Sequence, residues 1–145
     1  MIVLIVLFGA WLILRGVGAL GVGALASWQG SVRFALAVMF LFTGISHFNR
    51  MRHDLARMIP AIFPKPMLIV YLTGIFEFLG AAGLLMPRVR LAAGIGLILL
   101  LLGMFVANVH GALKKMTLGG RPVTGLWLRT PMQILFIGLI WWAAH

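Results

Sequence analysis

Glu77 stands in the middle of an apolar run from Met67 to Met86 and is one of only two acidic side chains in the chain. An ionised carboxylate in hydrocarbon costs at least a few kcal/mol, so such a residue faces a bundle interior, finds a partner or keeps its proton. A carboxyl held in that way can exchange a proton or hydrogen-bond the polar end of an apolar ligand. Gly74 and Gly80 lie one turn either side of it, with Thr73 and Ala81 at a spacing of four, so its helix face is one that packs closely rather than one that meets lipid. Three more polar residues fall near the ends of other apolar runs: His47, on a row with Thr43 and Gly44, then Asn108 and Gln133. Together with Glu77 they are the candidate ligand-binding residues, Glu77 at the floor of a polar pocket and the others around its rim. The bland alternative is that these side chains only satisfy one another between helices. A glutamine would do that without the ionisation cost, which favours a functional Glu77. No residue is assigned a catalytic role.

Two further constellations bear on the chemistry. Arg15 interrupts the first apolar run, and counting about 1.5 Å per helical residue places it at a depth close to that of Glu77, so a buried Arg15–Glu77 ion pair is expected. The alternative is that Arg15 snorkels to an interface. Asn108 and His110 are two residues apart and cannot share a helix face. Asn108 is read as inward, with Gly111 and Ala112 leaving room one turn on, and His110 as interfacial or facing another helix. His47, His53 and His110 show none of the spacings of a helical metal site, so no metal is expected.

The elements that must position these residues are membrane spans. The chain has 145 residues, of which 63% are hydrophobic and 10% charged, against roughly 45–50% and about 25% in ordinary globular domains. Five apolar stretches are long enough to cross a bilayer: Ile2 to about Ala26, Ser31 to Phe48, Pro66 to Met86, Leu91 to Leu113 and Leu128 to Ala144. They are nearly continuous in apolarity, which reads as helix rather than as the alternation of a barrel strand. The first is favoured as a full span, residues 1–26, although Arg15 and the glycines at 16, 18, 21 and 23 also suit a half-helix or a re-entrant hairpin. The fold expected is an all-α membrane protein: a four-helix transmembrane core over 31–145 plus an additional N-terminal transmembrane helix.

The connections carry the basic residues. A tight turn at Pro87-Arg88-Val89-Arg90 joins segments three and four. The long loops 49–65 and 114–127 hold most of the chain's arginines and lysines. The loop after segment two reads as a short interfacial helix stopped at Pro60 and followed by the extended prolines 64 and 66; the loop after segment four reads as a turn at Gly119-Gly120. The net charge of +10 therefore reads as a topology signal, with both long loops and Met1 cytoplasmic, and not as a nucleic-acid surface. With no cysteine, thiol chemistry and thiolate-ligated metals are excluded, and any redox role belongs to a cofactor or partner. No cleavable signal peptide is expected.

Several stretches carry a family resemblance. Phe40-Leu-Phe-Thr-Gly-Ile-Ser-His47-Phe48, Met58-Ile-Pro-Ala-Ile-Phe-Pro-Lys-Pro66 and Tyr71 through Pro87, with Gly74, Glu77 and Gly80, resemble the DoxX-like family of small bacterial membrane proteins. So do Ala107-Asn108-Val-His-Gly-Ala and Leu128-Arg129-Thr-Pro131-Met-Gln133. The resemblance spans about Arg33 to Trp142 and implies a four-helix core in the bacterial inner membrane, linked to redox-stress systems, with no catalytic residue to carry over. It leads to the expectation of a protein that binds a small apolar or quinone-like molecule in support of a redox or detoxification system. The alternative is a non-catalytic accessory subunit of a larger membrane complex, with segment one and the cationic loops as docking surfaces. The expected partners are the lipid bilayer and a larger complex or a second copy, with no nucleic acid. Quinone is the only candidate cofactor, and none is bound covalently.

Overall fold

A computed structural model describes residues 2–145, so Met1 and its expected cytoplasmic position lie outside the described residues. Five long helices carry the fold: α1 (Ile2–Ala19), α3 (Trp28–Ser46), α5 (Pro66–Leu85), α6 (Arg90–Leu113) and α7 (Leu126–Ala144). Between them lie two short helices, α2 (Gly23–Ala26) and α4 (Arg52–Met58), and a two-stranded hairpin of β1 (Thr117–Leu118) and β2 (Arg121–Pro122). All five long helices have the length and apolarity of membrane spans. The protein is a helical membrane protein.

Helices α3, α5, α6 and α7 close a four-helix ring, each packing on the next, and α1 lies against α3. The core runs down the middle of the ring through Leu36, Met39, Phe40, Leu84, Leu97 and Ile140. The large apolar residues that remain uncovered, such as Leu99, Leu102 and Ile134, lie on helix faces that a bilayer would cover. Helix α3 is the most enclosed of the five spans, because it meets α1, α5 and α7 together.

One end of the ring is fastened by polar side chains reaching exposed helix C-terminal carbonyls. Gln29 Nε2 and Arg33 Nε, on the first turns of α3, donate to the carbonyls of Trp142 and Ala143 at 2.7 and 2.9 Å. Arg90 Nε donates to Leu84 at the end of α5 at 3.1 Å. The last carbonyls of a helix have no partner within it, so an arginine there satisfies a group that would otherwise be left bare near hydrocarbon. At the same end Ser27 caps α3 by accepting from the Gly30 N–H at 2.9 Å, which starts the helix three residues before the expected Ser31.

The opposite end carries both long connections. Helix α4 packs against α5 and α6, with the buried Met58 against Gly111. Asp54 on α4 accepts from the Gly119 N–H at 3.0 Å and pairs with Arg57, which ties the hairpin to α4. Gly119 and Gly120 have φ of +61° and +79°, the left-handed pair that a two-residue hairpin turn needs. The expected turn is therefore a small antiparallel hairpin.

The first segment differs from the single helix to Ala26. Helix α1 stops at Ala19, Gly21 takes a left-handed φ of +111°, and α2 folds back beside the end of α1. A side chain at Gly18 would collide with the Leu25 carbonyl, so glycine there permits the fold-back.

Candidate functional site

Glu77 is 2% exposed and sits where α5 crosses the last turns of α3. Its Oε2 accepts a hydrogen bond from the Thr43 hydroxyl at 2.9 Å, and its Oε1 lies 3.7 Å from His47 Nε2. Thr43 and His47 are four residues apart, one turn of α3, so a single helix row presents both to the carboxyl. Close approach of the two helices depends on Gly74. A methyl group there would come within 2.6 Å of His47 Cβ and 2.8 Å of the Phe48 ring.

The histidine is oriented by its other nitrogen. His47 is 4% exposed, and Nδ1 lies 2.8 Å from the Val70 carbonyl, which can only accept, so Nδ1 carries the hydrogen. The Thr73 hydroxyl, 3.0 Å from the same nitrogen, directs its own hydrogen to the Ile69 or Val70 carbonyl, each 2.9 Å away. Nε2 is left to face Glu77. A bare Nε2 beside an ionised carboxylate would set a lone pair against a negative charge. The pair is favourable when it holds one proton between its members, either as imidazole with carboxylic acid or as imidazolium with carboxylate. Both forms are neutral overall.

These residues line a cavity of about 420 Å³ that passes between α1, α3, α6 and α7. All four residues singled out in the sequence, Glu77, His47, Asn108 and Gln133, lie on its wall. Phe40, Met132 and Phe136 supply much of the remaining surface, and Ile2 and Val3 of α1 close one side. A second cavity of about 320 Å³ lies between α4, α5 and α6, and it is almost entirely apolar. His47, Met104 and Asn108 belong to both linings and form the partition between the two spaces.

The Arg15–Glu77 ion pair is not formed. Arg15 Nη1 donates to the Ala26 carbonyl at 2.6 Å, and its guanidinium lies 4.7 Å from the centroid of the Trp28 ring. Those partners are at the N-terminal end of α3, whereas Glu77 meets its C-terminal end, about 22 Å away at 1.5 Å per residue. The depth counts misled because α5 begins beyond the end of α3: Val70 and Thr73, not Pro66, are level with His47. His110 faces another helix, its Nδ1 donating to the Met58 carbonyl of α4 at 2.7 Å. The room beside Gly111 serves that same helix and not Asn108.

Arg129 is the site residue that sequence reasoning passed over. It lines the larger cavity, and its Nη2 donates to Asn108 Oδ1 at 2.6 Å. Its spacing of four from Gln133 on α7 was the available signal, since it puts both on one face. Gln133 is 8% exposed, and neither its Nε2 nor Arg129 Nε has a hydrogen-bond partner, although both are buried. Among the described residues no three metal-ligating side chains converge.

A family described as Domain of unknown function (DUF8561) matches residues 36–145. That stretch is most of the chain and contains the whole polar cluster, so the chain belongs to this family. No curated protein and no solved structure matches it.

Proposed function

We propose that this protein binds a small, largely apolar molecule with an oxygen-bearing end in the larger cavity, in support of a redox or detoxification system. The DoxX-like resemblance suggests a quinone-like molecule as one member of that class. The observation that carries the reading is the convergence of Glu77, His47, Asn108, Arg129 and Gln133 on one mostly apolar cavity. Ligand sites combine apolar walls with a few placed polar groups in this way. In this reading the Glu77–His47 pair supplies or takes a single proton at the ligand's oxygen. Thr43 holds the carboxyl, Val70 fixes the imidazole, and Asn108 and Gln133 orient the polar end. The cavity lies near the end of the bundle that carries α4 and the hairpin. In this reading that end faces the cytoplasm from a bacterial inner membrane, which the basic residues of those connections support through the positive-inside rule.

The test compares small molecules extracted from purified wild-type protein and from Glu77→Gln. The amide keeps an oxygen for Thr43 to donate to but cannot exchange the proton. Wild type retains a defined compound and the variant loses most of it. Equal retention would remove the carboxyl from the ligand site.

A further inference from the structure

We infer that the ligand's polar end is an oxyanion, a monocarboxylate on an apolar body, received by Arg129 and Gln133. This rests on the proposed reading of the larger cavity as a ligand site and specifies the chemistry of what it takes. The first support is charge. The chain has two side-chain carboxylates, Glu77 and Asp54. Asp54 is outside the cavity, held by Arg57 and the Gly119 N–H. Glu77 lies 3.7 Å from His47 Nε2, and with one proton between them that pair is neutral. The guanidinium of Arg129 therefore brings one positive charge to the cavity wall, and no acidic side chain balances it. A half-buried cation without a counter-charge bears part of the cost of desolvation, and an anionic ligand reduces it.

The second support is the hydrogen bonds left open. Arg129 Nε and Gln133 Nε2 are buried donors with no acceptor, one helical turn apart on α7 and lining the same cavity. Asn108 accepts from Arg129 Nη2 and so holds the guanidinium in place while leaving Nε free. Two adjacent donors, one of them on a planar cation, match the two oxygens of a carboxylate. Phe40, Met132 and Phe136 provide the apolar wall for the body of such a molecule. A neutral quinone would leave the charge unbalanced.

Photolabelling in nanodiscs of phosphatidylcholine tests the inference. The probes are a dodecanoate carrying a diazirine and the matching dodecanol, at a pH where the acid is ionised, with labelled positions mapped by peptide mass spectrometry. The expected result is that the acid labels cavity residues such as Met132 or Phe136 about tenfold more than the alcohol does. Unlabelled dodecanoate should compete, and a decyl-substituted benzoquinone and added phosphatidylglycerol should not. In Arg129→Gln, checked for folding by its melting curve, the acid no longer labels the cavity more than the alcohol does. Equal cavity labelling by acid and alcohol, or equal competition by the quinone, overturns the oxyanion and leaves the cavity as a binding site. Displacement by phosphatidylglycerol alone overturns the monocarboxylate in favour of a lipid headgroup. Absence of any label in the cavity overturns the binding reading together with the inference. The acid-against-alcohol comparison on wild type decides the matter even if the variant does not fold.

Discussion

Thr43 on α3 donates a 2.9 Å hydrogen bond to Glu77 on α5, 34 residues on in the chain, and this bond joins the two most extensively packed helices of the ring at the cavity wall. The bond has a structural consequence separate from any ligand. It satisfies one carboxyl oxygen where water is scarce, and it leaves the other for His47.

Replacing Thr43 by valine keeps the shape and removes the donor. A buried polar group that loses its partner costs about 1–3 kcal/mol. Thr43→Val should therefore lower the melting temperature in detergent, and it should shift the carboxyl stretching band of Glu77 in the infrared. An unchanged band would mean that the two groups are not bonded.

Gly74→Ala should be the more damaging of two glycine substitutions. The added methyl meets His47 Cβ at 2.6 Å, so α3 and α5 must separate, at a cost of about 1–3 kcal/mol for overpacking. At Gly96 of α6 nothing lies within 4 Å. Alanine there should be neutral, or stabilising by about 0.5–1 kcal/mol through helix propensity. Thermal unfolding of the two variants side by side checks the contrast.

Arg15→Ala removes one carbonyl hydrogen bond and the contact with Trp28, together about 1–2 kcal/mol. Ligand retention should be unchanged, because Arg15 and the cavity's polar cluster lie toward opposite ends of α3. Loss of ligand in this variant would restore a link between Arg15 and Glu77.

Asp54→Ala should free the hairpin from α4. The expected outcome is faster tryptic cleavage after Lys114 or Lys115 with little change in the melting of the bundle, since local opening need not involve the core. Unchanged cleavage would show that the hairpin is held by other contacts.

Much of the architecture was legible because lipid leaves the backbone few options. Nearly continuous apolarity from Pro66 to Leu85 or from Arg90 to Leu113 must be helix, and Pro87 and the arginines around it mark the turn between them. Glu77 stood out by type alone. The break at Gly21 was legible only as an alternative to a full span, because glycine tolerates both a helix and a left-handed turn, and the choice is made by how α2 packs on α1. Arg15 was mispaired because depth counted from helix starts takes those starts to be level, and α5 extends beyond α3. Arg129 does not stand out by type, because a basic residue beside a span reads first as a topology signal. A guanidinium at a span's first turn can equally turn inward, and only the packing of α7 against α6 decides that.

The most direct test of the account is native mass spectrometry of the protein released gently from its own membrane. The account predicts a reproducible small-molecule adduct on the monomer or homo-oligomer, reduced about tenfold or more in Glu77→Gln. Release in association with a larger membrane protein and without an adduct would contradict it and favour an accessory subunit.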